Sequence, residues 1–234
     1  MKSILKKSLF FAILVFITSC TTISYVPRVS LDVSPKSINK SVQIDKLKDS
    51  SPIDGKYNPF GGSSVTHPNA ISNELDVEVT NAIVNDFSTN GVFKHVSRKI
   101  DNPDYTIKGE IIKFYGKSGL TDNAKIFIGL AMVSAIAAPM TSNPVVLFGA
   151  LPLYTLYFGF PAYQNMTEIE LVFKLYDKNN TLVGTYTGKA YDNNVTSIYH
   201  NIMFALPTLT NKTLSSAVMQ IREQILNDIS KLEK

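Results

Sequence analysis

Few side chains in this 234-residue sequence are equipped for chemistry. There is one cysteine, Cys20, and there are three histidines, His67, His95 and His200. A cysteine thiolate can act as nucleophile or metal ligand, and the thiol can carry a covalent group. With no second cysteine, an intrachain disulfide and a thiolate metal site are both excluded. The histidines stand apart: His67 before Pro68, His95 after Lys94, His200 after Tyr199. None shows a His-x-x-x-His spacing, and no serine sits in a Gly-x-Ser-x-Gly turn. Gly61-Gly62-Ser63-Ser64 lacks the lysine of a phosphate-binding loop and reads as plain loop. His95 reads as a solvent-facing strand residue. The expectation is no catalytic residue, no cofactor and no metal, in a protein that is not an enzyme. Cys20 remains as the one site residue.

What surrounds Cys20 assigns it a task. Lys2, Lys6 and Lys7 form a positive start, Leu9 to Ile17 is unbroken apolar, and the small residues Thr18 and Ser19 follow. That order is the order of a secretory signal peptide. As a helix the apolar run covers about 14 Å, against a hydrocarbon core of about 30 Å, so it is too short to remain as a span. Residues 1–19 are therefore expected to be a signal peptide. The net charge of +4 is largely theirs, because three lysines and no acid precede Cys20, which leaves about +1 on the rest. No electrostatic footprint for nucleic acid remains.

The closing Ile17-Thr18-Ser19-Cys20 resembles the lipobox of bacterial lipoproteins. That resemblance implies that Cys20 is lipidated, that the signal is cut before it, and that palmitate-type chains hold the protein on a membrane. Two or more acyl chains give stable anchoring. Residue 21 is Thr and not Asp; in the enterobacterial sorting rule that resemblance brings with it, this implies the outer membrane, with the domain on the periplasmic side of the cell envelope. Residues 20–40 carry Pro27, Pro35 and several serines with little periodicity, and read as a lipidated tether.

Residues 41–234 are expected to form one domain. Ser41 to Leu47 alternates as a first strand, and Lys48-Asp49-Ser50-Ser51-Pro52 breaks it. Ile71, Leu75, Val79, Ile83 and Phe87 recur at helical spacing, so a helix is expected over Ala70 to Thr89. Asn69 or Ser72 would cap its start and Asn90-Gly91 stop it, with Val92 packing back. Val92 to Val96 and Tyr105 to Tyr115 are strands, the second with a phase switch that calls for a bulge near Ile111. Thr167 to Tyr176 and Thr181 to Tyr191 form a hairpin about Asp177-Lys178-Asn179-Asn180, with Leu182, Tyr186 and Ala190 on one side. A last helix is expected from Lys212 to Lys231, capped by Thr210 or Asn211 after Pro207, with Ser215, Gln220, Arg222, Glu223 and Asp228 facing water. The sum is an α+β two-layer sandwich of a mostly antiparallel sheet and two helices. Val42-Gln43-Ile44 with Asp49-Ser50-Ser51-Pro52, Asn90-Gly91-Val92-Phe93-Lys94-His95-Val96 and Pro103-Asp104-Tyr105-Thr106-Ile107-Lys108-Gly109-Glu110-Ile111 resemble a broad set of bacterial envelope lipoproteins. This set includes the curli-secretion lipoprotein and activators of penicillin-binding proteins. The resemblance implies the fold; its members form pores, activate enzymes or assemble complexes.

One stretch departs from that pattern. Ile126 to Thr167 contains no charged residue. Residues 126–163 read as an apolar hairpin insertion: a first arm rich in Gly129, Ala131, Ser134, Ala135 and Ala138, a turn from Pro139 to Pro144, and a second arm ending in Tyr154, Tyr157, Phe158, Phe160 and Tyr163. Three fates are open to it: core over the sheet, a shallow dip into the membrane, or a surface for an envelope protein partner. For the whole chain, the leading expectation is an accessory protein acting through protein contacts in an envelope complex. The alternative is a binder of an apolar ligand or lipid.

Overall fold

The computed structural model describes residues 23–52, 63–66, 70–71, 74–141, 156–197, 199 and 202–232. Cys20, the signal segment, His67, His200, Asn69, Ser72, Gly61, Gly62 and residues 142–155 of the insertion lie outside the described residues. The elements are β1 (Ile38–Ile44), β2 (Lys48–Asp49), β3 (Ser63–Ser64), α1 (Leu75–Thr89), β4 (Phe93–Ser97), β5 (Tyr105–Leu120), α2 (Asp122–Thr141), a 3-10 turn (Leu156–Phe158), β6 (Pro161–Asp177), β7 (Leu182–Ser197), α3 (Ile202–Asn227) and a last turn (Ile229–Leu232). The described strands make one seven-stranded sheet in the order β4-β1-β5-β6-β7, with β2 and β3 also paired to β5. β5, β6 and β7 are antiparallel, while β1 runs parallel to both β4 and β5. The α+β sandwich of the sequence reading is what forms, with a sheet that is mixed at its β1 side.

Alternation decides the two faces. Ile169, Leu171, Phe173 and Leu175 of β6 are buried against Val79, Ile83 and Phe87 of α1 and Leu214, Val218, Ile221 and Ile225 of α3. The opposite face of the sheet carries ion pairs, Lys113 to Glu168 at 2.8 Å and Lys189 to Glu170 at 3.4 Å. The bulge expected near Ile111 is there: pairing with β6 slips between Ile111 and Lys113. It lets Ile107, Ile111 and Phe114 all reach the core although their spacing changes parity. α1 stops at Asn90-Gly91 as expected; Gly91 takes φ +67°, and the Val92 N–H donates to Phe87 O at 3.2 Å.

Four expectations are corrected. Lys48–Asp49 pairs with β5 instead of merely breaking the strand. α1 begins at Leu75, not Ala70, and its N-cap residue Glu74 makes no side-chain cap bond. Leu182 is exposed, because a register slip at Leu175/Tyr176 turns it away from the side that Tyr186 shares. α3 starts at Ile202, ten residues early, with Pro207 inside it. Proline removes one helical N–H donor, but Thr210 lies within the helix and donates its hydroxyl to Leu206 O at 2.8 Å rather than capping it.

α3 lies tight on β7. A Cβ added at Gly188 would stand 2.0 Å from the Ala217 carbonyl oxygen, so only glycine permits this approach. The contact brings two glutamines to the open edge of β7. Gln220 accepts from the Lys189 N–H and donates to the Lys189 carbonyl; Gln224 does the same at Thr187.

Candidate functional site

The tether reading fails from Ile23 onward. Ile23 is 3% and Tyr25 1% exposed, and Val29 and Leu31 pack on the main core. Residues 23–37 form a strap across the two helices. The Tyr25 N–H donates to Ala70 O at 2.7 Å, its ring meets Phe114 at a 6.2 Å centroid distance, and its hydroxyl donates to Asn211 Oδ1 at 3.0 Å. The same Asn211 oxygen accepts from the Arg28 N–H at 2.9 Å. The Ser30 N–H donates to Ser215 Oγ at 3.1 Å. Further on, the Leu31 N–H donates to Asp86 Oδ1 at 3.1 Å, and Arg222 donates to Asp32 O at 2.5 Å. Arg222, expected to face water, is 7% exposed because the strap covers it.

Asp86 and Arg222 are the charged groups this strap buries. Asp86 is 2% exposed on α1 and also accepts from the Asn90 side chain at 2.8 Å. Its Oδ2 and the Arg222 Nε find no hydrogen bond among the described residues. Burial pushes the Asp86 carboxyl above the usual carboxylate range. The Leu31 N–H, the Asn90 amide and the positive charge of Arg222 hold it back in part. Burial likewise pushes the Tyr25 phenol up, so it stays a neutral donor.

The strap has a direction. Tyr25 and Arg28 meet Asn211, Ser30 meets Ser215 and Asp32 meets Arg222, so the chain followed backwards heads for the N-terminal end of α3. That end of α3 lies over the Leu120 end of β5: a Cβ at Gly116 would touch Thr210, and Thr167 bonds Thr213 at 2.6 Å. From this same end of the sheet springs α2. Its first turn is fixed, with Thr121 Oγ1 accepting from the Ala124 N–H at 3.2 Å and donating to Pro161 O at 3.0 Å. Ala124, Leu156 and Ala162 form a small separate cluster there.

α2 turns several large apolar residues outward. Ala124 and Ser134 are buried and Phe127 packs half-buried on the Ala124 cluster, while Ile126, Leu130, Met132 and Val133 are exposed, Val133 at 65%. Phe158 is 84% and Phe204 71% exposed at the same end. Between the end of β7 and the start of α3, Val195, Tyr199, Phe204 and Leu209 line an open depression of about 720 Å3. Eleven of the sixteen exposed large apolar residues among those described lie at this end, on or beside Leu120 to Met166, Val195, Tyr199 and Phe204.

Cys20, the predicted site residue, lies outside the described residues, three positions before Ile23. His95 is an exposed residue of β4, opposite Ser41 of β1. Among the described residues no group of three or more His, Cys, Asp and Glu side chains is placed to hold a metal. The strap, Asp86 and Arg222 escaped sequence reasoning because a Pro- and Ser-bearing segment and a charged helix residue both read as solvated.

No family model matches the chain. No curated protein matches it. Several solved structures share features of its backbone. A Xanthomonas campestris protein of the DUF330 family is 13% identical, covers 89% of this chain with 99% of its own, and superposes with a TM-score of 0.48. A PelC dodecamer from Paraburkholderia phytofirmans is 11% identical over 83% of this chain and 95% of that one, with a TM-score of 0.32. A Helicobacter pylori protein described as a homolog of a neuraminyllactose-binding hemagglutinin is 9% identical over 91% of this chain and 97% of that one, with a TM-score of 0.44. At these identities and TM-scores the likenesses fix neither fold nor function.

Proposed function

We propose that this chain is a lipid-anchored accessory protein of the bacterial cell envelope, held on a membrane, the outer one by the Thr at position 21, and acting through protein contacts in an envelope complex. The observation that carries the reading is the order of the first twenty residues. Three lysines, an apolar run and two small residues lead to Cys20, the one thiol of the chain. The strap supports it. A domain whose N-terminal segment is bolted along both helices from Tyr25 onward stays close to whatever Cys20 is attached to, as a part in an assembly requires. The alternative, a carrier of one apolar ligand, is less well supported: carrier sites bury most of their ligand, and the depression between β7 and α3 is open.

Replacing Cys20 with Ser tests the anchor. The expected result is an uncleaved or soluble protein, with no acyl group on the N-terminal peptide by mass spectrometry, whereas the parent carries one and fractionates with membranes after a carbonate wash. A Cys20→Ser chain cut and retained like the parent would refute the anchor. Affinity capture from detergent-solubilised membranes then tests the accessory role, with a stoichiometric envelope protein as the expected result.

A further inference from the structure

We infer that the apolar end of the domain is a lipid-docking surface, with α2, Phe158 and Phe204 entering the boundary between headgroups and acyl chains of the bilayer that holds Cys20. The inference rests on the anchor reading for which membrane this is and for the first of its three observations; the other two belong to the surface itself.

The first is position. The strap, followed backwards, runs along α3 from Arg222 to Asn211, toward the end of the sheet from which α2 springs. Cys20 is three residues before Ile23, at most about 10 Å of extended chain. Under the anchor reading, a lipid on Cys20 is within that reach of Ile23.

The second is the exposed apolar face of α2. A helix packed on a water-soluble core buries its large aliphatic residues and exposes polar ones. α2 buries Ala124 and Ser134, half-buries Phe127 and Ile128, and exposes Ile126, Leu130, Met132 and Val133. Small residues inside with large ones outside is the arrangement of a helix whose outer medium is lipid. Apart from the Asp122–Lys125 pair at its start, α2 has no charge.

The third is the aromatic fringe. Phe158 and Phe160 just before β6, Tyr199 just after β7 and Phe204 in the first turn of α3 are all exposed. Exposed aromatic rings gathered on one side are typical of interfacial contact. Among the described residues no helix is long and apolar enough to cross a membrane, so the contact is shallow. Ile126 to Thr167 holds no lysine or arginine that would pair with an anionic headgroup.

The chain has no tryptophan, which makes the test direct. Single variants Phe158→Trp, Phe204→Trp and Leu182→Trp are made in the full chain, purified in detergent and reconstituted into phosphatidylcholine vesicles with or without bromine on the acyl chains. Leu182 is exposed at the far end of β7, about 50 Å from Ser197. The expected result is that bromolipid removes most of the emission of Phe158→Trp and Phe204→Trp, which is also blue-shifted, and leaves Leu182→Trp unchanged. Both aromatic positions are exposed, so the fold tolerates the exchange, and circular dichroism checks it. Unquenched emission at both positions in vesicle-bound chain would overturn the inference; a second copy or a protein partner seated there gives that result. Equal quenching at Leu182→Trp would overturn it too. Mass spectrometry of Cys20 in the same samples separates the two readings: an acylated chain with unquenched tryptophans keeps the anchor and loses the docking surface, and quenching without acylation does the reverse.

Discussion

Tyr25 is the residue on which the strap stands or falls. Truncation to Ala removes a ring that is 1% exposed and seated between Phe114 and Asn211 of α3. Large-to-small changes at such aromatic sites cost about 3–5 kcal/mol, so urea melts of Tyr25→Ala should lose a large part of a typical domain's whole stability. Tyr25→Phe keeps the ring and deletes one hydrogen bond to Asn211, whose oxygen still accepts from the Arg28 N–H. The cost there should be about 0.5–1 kcal/mol. Asn211→Ala is the harsher cut, because it leaves the buried Tyr25 hydroxyl without its acceptor, at about 1–3 kcal/mol. The double variant Tyr25→Phe/Asn211→Ala should then cost less than the sum of the two, since no orphaned hydroxyl remains. Trypsin gives a second readout: Arg28 should be protected in the parent and cut first in Tyr25→Ala. A loss below about 1 kcal/mol for Tyr25→Ala, with Arg28 cleaved equally fast in both proteins, would show that residues 23–37 are a spacer after all.

Asp86 predicts a pH effect. Its folded carboxyl is raised above the ordinary 3.8, chiefly by burial, so the folded state holds that proton more tightly than the unfolded one. The resulting stability is complete below 3.8 and is lost as pH rises through the raised folded value. In chemical denaturation from neutral to acid pH, Asp86→Asn should lack this gain; an identical pH profile would refute it. Gly188→Val should push the last helix off β7, because the new side chain would collide with the Ala217 carbonyl. The expected loss is about 3 kcal/mol or more, seen as a lowered melting midpoint, and a neutral result would refute the close approach.

How far the sequence was legible depended on the range of the interactions. β6 and β7 alternate over many residues about an Asp177–Asn180 turn, and the parity change at Ile111 announced its own bulge, because such patterns are written within a few residues. The start of α3 was hidden since Pro207 reads as a breaker, although a helix tolerates the loss of one donor where Thr210 and its neighbours are held by the core. Arg222 looked solvated because its partner, the Asp32 carbonyl, lies 190 residues away. The strap has no period of its own: it follows the groove that two helices leave, and that groove exists only once the sheet has formed. The apolar character of the insertion was plain, but only the exposure of Val133 and Phe158 shows that this stretch is not simply core.

The two glutamines at the rim of the sheet carry a consequence for growth. A bare edge strand is a template for a further strand, and unchecked it templates without end. Gln220 and Gln224 occupy both backbone groups of Lys189 and Thr187, as a neighbouring strand would. Toward Ser197 the helix offers Lys212 instead, and it pairs with the Asp192 carboxylate rather than with the backbone. At Thr187 and Lys189, the middle of this rim, the place of a further strand is therefore already taken.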